Sequence, residues 1–128
     1  MEKLATARQA LSSLEAILQE PPSIIVRDAT IQRFEYTSEA VWKGAREWLT
    51  AIELIEENHP RGVYRALFRI GRIDEALVAA LLASIEDRNR TSHAYIEAVA
   101  VAVFERIPQH ATSFHRLLKT LEPGAASS

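Results

Sequence analysis

An all-α fold, an antiparallel bundle of four long helices plus a short one, is what this sequence predicts, on three observations. Apolar residues recur at alternating steps of three and four along successive stretches, the spacing that lines one face of a helix. No stretch alternates polar and apolar residues as a strand does. Pro21-Pro22, Pro60 and Gly71 fall between the periodic stretches, where helices start and stop.

The first helix carries Leu4, Ala7, Leu11, Leu14 and Leu18 and ends at Pro21-Pro22. Asp28 is the expected N-cap of a second, long helix whose stripe runs Ile31, Phe34, Ser38, Val41, Ala45, Trp48/Leu49 and Ile52. Trp42 and Trp48 lie near that apolar side and read as core or contact aromatics. A short third helix is expected over residues 61–70, stopped by Gly71. Asp74 caps a fourth helix bearing Leu77, Leu81 and Ser84/Ile85 on one stripe and Val78 and Leu82 on another side. A helix with so broad an apolar girth is buried centrally or at a subunit contact, which favours a homodimer. Thr91-Ser92 continues a helix poorly, and a new period starts near Ile96 with Val99, Val103 and Ile107. Pro108 is expected to kink or break it before a last stretch with Phe114, Leu117, Leu118 and Leu121. Residues 1–122 therefore read as a single domain, and residues 123–128 have the composition of a frayed tail.

The chain has 128 residues, 15 basic and 17 acidic side chains, a formal net charge of −2, 48% hydrophobic content and no cysteine. Those proportions support a real core and exclude disorder over most of the length. Without cysteine there is no disulfide framework, thiolate metal site or cysteine nucleophile, and a cytoplasmic location is expected. The longest apolar run, residues 76–83, falls far short of the ~20 needed to span a bilayer, so no membrane partner is expected. A near-neutral chain does not coat nucleic acid indiscriminately, so DNA is not expected as a partner and any RNA contact must be local.

Extending the stripe Leu77, Leu81, Ser84 by four residues lands on Arg88, placing a guanidinium on the apolar side of the fourth helix. A charge there needs a partner or a task. The following residues read Asn89-Arg90-Thr91-Ser92-His93-Ala94-Tyr95. On an unbroken helix His93 is rotated about 140° from Arg88. The two therefore converge only if the helix ends between them, as Thr91-Ser92 allows, or if they meet across a two-fold axis. Arg88 and His93 suit metal-free chemistry on phosphate esters: arginine grips the phosphate bidentately and histidine moves protons near neutral pH. In RNA the nucleophile, the 2′-hydroxyl, is already present. Asn89 is placed to orient either group. The alternative is that Arg88 pairs with a buried carboxylate and His93 is a solvated loop residue.

The compound string Arg88-Asn89, then His93, then Tyr95 resembles the signature of the HEPN superfamily. A second stretch, Gln32-Arg33-Phe34-Glu35-Tyr36-Thr37-Ser38-Glu39-Ala40-Val41-Trp42-Lys43, resembles the second-helix motif of the branch called nucleotidyltransferase substrate-binding proteins. Ser38 and Ile96 depart from the pattern at a packing and a capping position. The resemblance implies a HEPN-like bundle paired with a minimal nucleotidyltransferase. The HEPN member of such a pair is a dimeric, metal-independent endoribonuclease toxin and the nucleotidyltransferase its antitoxin. Carried over, Arg88 and His93 are catalytic, Asn89 supports them, and Tyr95 bears the hydroxyl that the antitoxin AMPylates. No cofactor is implied. The other reading is a non-catalytic substrate-binding subunit of a two-component nucleotidyltransferase, in which Glu35 and Tyr36 line a nucleotide pocket.

Arg61, Arg65, Arg69 and Arg72 fall within about 80° of one another on a helix, with no acidic residue between Asn58 and Ile73. With Arg90, they are candidates for binding RNA or an acidic partner; the alternative is a solvated face. His59, His110 and His115 have no metal-ligand spacing and are expected at the surface, and the acidic run Glu53, Glu56, Glu57 is expected to face water.

Overall fold

The computed structural model describes residues 1–122; the expected tail, residues 123–128, lies outside them. Among the described residues five α-helices follow in order: α1 (Glu2–Ile17), α2 (Ile24–Trp48), α3 (Pro60–Arg69), α4 (Glu75–Arg90) and α5 (Glu97–Thr120). No strand occurs among the described residues. No helix among them is long and apolar enough to cross a membrane.

Side-chain contacts fix the directions of the helices. Arg33 donates to the Ser13 carbonyl at 2.7 Å and Thr37 to the Ala10 carbonyl at 3.1 Å. Glu47 accepts from the Lys3 and Leu4 amides at 3.0 and 3.3 Å. α1 and α2 are thus antiparallel, and a carboxylate from the end of α2 satisfies free donors at the start of α1. The Arg61–Glu86 pair joins the first turn of α3 to the last part of α4, so these two helices are antiparallel as well. Between α4 and α5 the pairs Asp87–Arg106 and Asp74–Arg116 give the same sense. The core holds Leu14, Phe34, Leu81, Ile107, Phe114 and Leu117, and α3 covers it with Val63, Tyr64 and Leu67.

The helix ends follow local chemistry, with three departures from expectation. α2 begins four residues before Asp28, because Ser23 is the N-cap and its hydroxyl accepts from the Val26 amide at 3.0 Å. Past Trp48 the chain widens into a π-helical turn (Leu49–Glu53), closed by Leu54 in the left-handed region at φ 57°. The change of period carries Ile52 out of the stripe to 53% exposure. Pro108 does not interrupt α5, which runs unbroken through it. Proline removes one backbone donor, but Pro108 is on the exposed side, where water can satisfy the Phe104 carbonyl. Elsewhere the signals hold. Gly71 takes φ 80° after α3, and Asp74 caps α4 by accepting from the Leu77 amide at 2.8 Å.

α1 and α2 approach closely at Gly44. A Cβ there would lie 3.0 Å from the Lys3 carbonyl oxygen, 3.2 Å from the Leu4 Cα and 3.3 Å from the Ala7 Cβ. Two of these atoms are backbone, so a larger side chain must separate the helices. Gly44→Val is therefore expected to lower stability by about 1–3 kcal/mol. The check is a urea unfolding curve whose midpoint falls while its slope is unchanged.

Candidate functional site

The residues singled out in the sequence gather where α4 ends. Arg90 closes the helix and a 3₁₀ turn (Thr91–His93) follows, so regular α-helix stops between Arg88 and His93 as expected. The turn has a local cause. The Thr91 hydroxyl donates to the Arg88 carbonyl at 2.6 Å, an alternative to the next helical hydrogen bond. The same oxygen accepts from the Arg88 guanidinium at 3.3 Å, and Ser92 repeats the carbonyl contact with Asn89 at 3.0 Å.

Arg88 is half-buried and turned toward α2. Its Nη1 is 3.8 Å from the Glu35 carboxylate and its Nε 3.8 Å from that of Glu39. Neither approach is a hydrogen bond at that distance, and the shielded Nε has no hydrogen-bond partner. Asn89 and His93 are exposed. Tyr95 is 81% exposed, and its ring stands edge-on to His93 with centroids 6.1 Å apart. No hydrogen bond or ion pair joins Arg88 to His93 among the described residues.

Sequence reasoning missed the residue beside Arg88. The stripe through Leu77, Leu81 and Ser84 continues inward at Asp87, a step of three, and not at Arg88, a step of four. Asp87 is 1% exposed and its carboxylate accepts four hydrogen bonds. Arg106 supplies two, at 2.7 and 2.8 Å, His110 one at 2.7 Å and Arg90 one at 2.8 Å. Burial pushes the Asp87 carboxyl upward, but the bonds from Arg106, His110 and Arg90 outweigh it and hold the group well below the usual carboxylate range. An ionised carboxylate only accepts, so His110 donates through Nε2.

His110 is thus not a surface residue. It is 5% exposed and stacked on Phe34, ring centroids 5.3 Å apart. The available signal was the spacing of Arg106 and His110, four apart on one face of a helix and able to converge on one carboxylate. His59 and His115 are exposed as expected, and His115 lies 3.5 Å from Glu15.

The basic stripe exists but is unevenly engaged. Arg61 pairs with Glu86, and Arg65 and Arg69 are exposed. The Arg72 guanidinium stacks over the Trp48 ring at 4.8 Å and donates to the Thr120 carbonyl at 3.4 Å. Trp48 is buried, as a core aromatic should be, and Trp42 is half-buried beneath Arg46. Among the described residues no three of His, Asp or Glu gather as metal ligands would.

Among the described residues the chain is an all-helical bundle with a polar constellation at the end of its fourth helix. Over residues 2–123 the chain matches the family described as nucleotidyltransferase substrate binding protein like, and it belongs to that family. A Thermus thermophilus protein of known structure is 38% identical, with a TM-score of 0.86 over 91% of this chain and 98% of that one. A Haemophilus influenzae protein described as having the fold of a substrate binding domain of a nucleotidyltransferase is 25% identical, with a TM-score of 0.75 over 92% and 98%. A tri-AMPylated Shewanella oneidensis HEPN toxin, solved in complex with an MNT antitoxin, shares the fold at 18% identity, with a TM-score of 0.74 over 94% and 93%. Among curated proteins none matches the chain.

Asp87 gives a prediction with a definite sign. Its folded-state pKa is depressed below the unfolded value, so its contribution to stability is complete above about pH 4 and is lost as pH falls toward the folded value. Asp87→Asn keeps the shape but leaves Arg106 facing a neutral group, and is expected to cost about 3 kcal/mol at pH 7. Thermal melts from pH 7 down to pH 3 should show a smaller acid-induced loss in the variant than in the wild type.

Proposed function

We propose that this protein is the HEPN-type toxin of a toxin-antitoxin pair, a metal-independent endoribonuclease whose active groups are Arg88 and His93. The observation that carries the reading is the end of α4. A half-buried guanidinium is held five residues before an exposed histidine, and the regular helix stops between them. Arg88 binds the scissile phosphodiester and stabilises negative charge growing on its oxygens. His93 transfers protons as the 2′-oxygen attacks phosphorus and the bond to the 5′-oxygen breaks, leaving a cyclic phosphate and a 5′-hydroxyl. Asn89, exposed on the same turn, orients phosphate or imidazole by hydrogen bonding. Arg88 and His93 make no direct contact among the described residues, and this reading composes the complete site across a homodimer, each copy supplying both groups.

The same reading assigns Tyr95 as the residue that a partner minimal nucleotidyltransferase AMPylates. Its ring is exposed and lies against His93, so an adenylyl group there adds bulk and negative charge where RNA phosphate must sit. The Shewanella toxin of the same fold is itself AMPylated and bound to an antitoxin, which supports the assignment. A second reading, a substrate-binding subunit without ribonuclease activity, is favoured by the carboxylates of Glu35 and Glu39 beside Arg88 and by the description of the Haemophilus relative.

Arg88→Ala and His93→Ala are each expected to lower the rate of RNA cleavage at least ~10²-fold, measured with chelator present and with the melting temperature of His93→Ala unchanged. Full activity in both variants overturns the ribonuclease reading. Co-expression with the proposed partner nucleotidyltransferase should add adenylyl units to the intact mass of the wild type, and none to Tyr95→Phe. An unmodified wild-type chain that binds nucleotide and cuts no RNA favours the substrate-binding subunit.

A further inference from the structure

The basic stripe has a direction. α3 lies antiparallel to α4, so its start, at the Arg61–Glu86 pair, is beside the end of α4 that carries Asn89 and Arg90. Arg65 and Arg69 follow at one-turn intervals of about 6 Å, exposed and heading away from that end. Phe68, which a soluble helix would ordinarily turn inward, is 41% exposed on the same side, about 60° around the helix from Arg65.

The stripe runs into a cleft. Beyond Gly71, the α3–α4 turn and the last turns of α5 border an open cleft of about 810 Å³, lined among others by Arg72, Asp74, His115, Arg116 and Lys119. Three permanent cations there face one carboxylate. Asp74 is 3.6 Å from Arg116, and Glu15, from α1, approaches His115. Arg72 is held in place by its stacking on Trp48 and its bond to the Thr120 carbonyl. Arg116 and Lys119 are exposed. Along α4 the cleft, at Asp74, is about 20 Å from Arg88, a span of several nucleotides.

We propose that a single strand of RNA lies along α3 and that its backbone enters the cleft, with Arg72, Arg116 and Lys119 as a distal phosphate subsite and Phe68 as a base-stacking platform. The proposal rests on the ribonuclease reading. Cations one helical turn apart match the repeat of a phosphate backbone, and an exposed aromatic among them provides the stacking surface that single strands use and that docking of an acidic protein does not require. The arrangement also gives a chain of net charge −2 a local line of cations for an anionic substrate, with Arg61, Arg65, Arg69, Arg72, Arg116 and Lys119 leading away from the end of α4.

The test uses the full chain with His93→Ala, so that the probe is not cut, and a fluorescein-labelled oligouridylate long enough to reach from α4's end to the cleft. Fluorescence anisotropy gives its Kd over a series of salt concentrations. Adding Arg116→Ala and Lys119→Ala is expected to weaken binding at least tenfold at low salt and to lower the slope of log Kd against log salt by about 1.4, the value for two phosphate contacts on a single strand. Phe68→Ala is expected to weaken binding about fivefold with the slope unchanged, since stacking releases no counterions. Lys3→Glu, which changes net charge by the same two units at the start of α1, should stay within twofold. If the double variant binds like Lys3→Glu while the His93→Ala protein still holds RNA, the track is wrong and the ribonuclease reading stands. If the double variant loses binding to polyglutamate but not to RNA, the cleft serves an acidic polypeptide and the proposal is overturned. If His93→Ala binds no RNA and the wild type cuts none, both fall together.

Discussion

Asp87 is a carboxylate with almost no access to water, and the way its charge is met ties the end of α4 to α5. Burying a carboxylate is unfavourable by several kcal/mol unless its lone pairs are filled and its charge is opposed. Arg106 and His110 reach it from α5, one turn apart, while Arg90 reaches it from its own helix. His110 is in turn pinned against Phe34 of α2. One polar centre therefore fixes three helices at the level where α4 stops.

That geometry has a consequence for Arg88. With Asp87 locked inward, the next side chain along the helix is turned about 100° away, into the seam between α4 and α2. There the shielding is partial, and the carboxylates of Glu35 and Glu39 come within 3.8 Å without hydrogen-bonding it. A guanidinium so placed is oriented yet retains donors, which is the condition for binding an incoming phosphate. Thr91 then ends the helix by bonding to the Arg88 carbonyl, and His93 and Tyr95 are delivered to the surface together. On the proposed reading, activity and its control by modification thus share one short segment. An adenylyl group on Tyr95 would then stand beside the His93 ring.

On the proposed reading, membership in the nucleotidyltransferase substrate-binding family and a fold shared with a HEPN toxin describe the same molecule from two sides. A small helical protein that presents a tyrosine to a nucleotidyltransferase is a substrate of it in the chemical sense. The same surface can carry chemistry of its own. The two descriptions conflict only if the Arg88 and His93 region is inert.

The sequence by itself determined the helices and much of their punctuation. Steps of three and four fixed the apolar faces, Gly71 and Asp74 marked a stop and a start, and Thr91-Ser92 marked the end of α4, because each acts through backbone groups a few residues away. That regular helix stops between Arg88 and His93 was legible for the same reason. Only the tertiary structure decided which of Asp87 and Arg88 enters the interior, since steps of three and four are both helical and the choice rests on Arg106 and His110, about twenty residues on. His110 looked like a surface histidine until its partner was known. Pro108 looked like a break until its missing donor fell on the exposed side of α5. Arg61, Arg65, Arg69 and Arg72 read as one equivalent row, whereas Glu86 and Trp48, distant in sequence, engage the first and last of them. Local bonding is written in neighbouring residues; the satisfaction of a buried charge is settled by whichever helices pack around it.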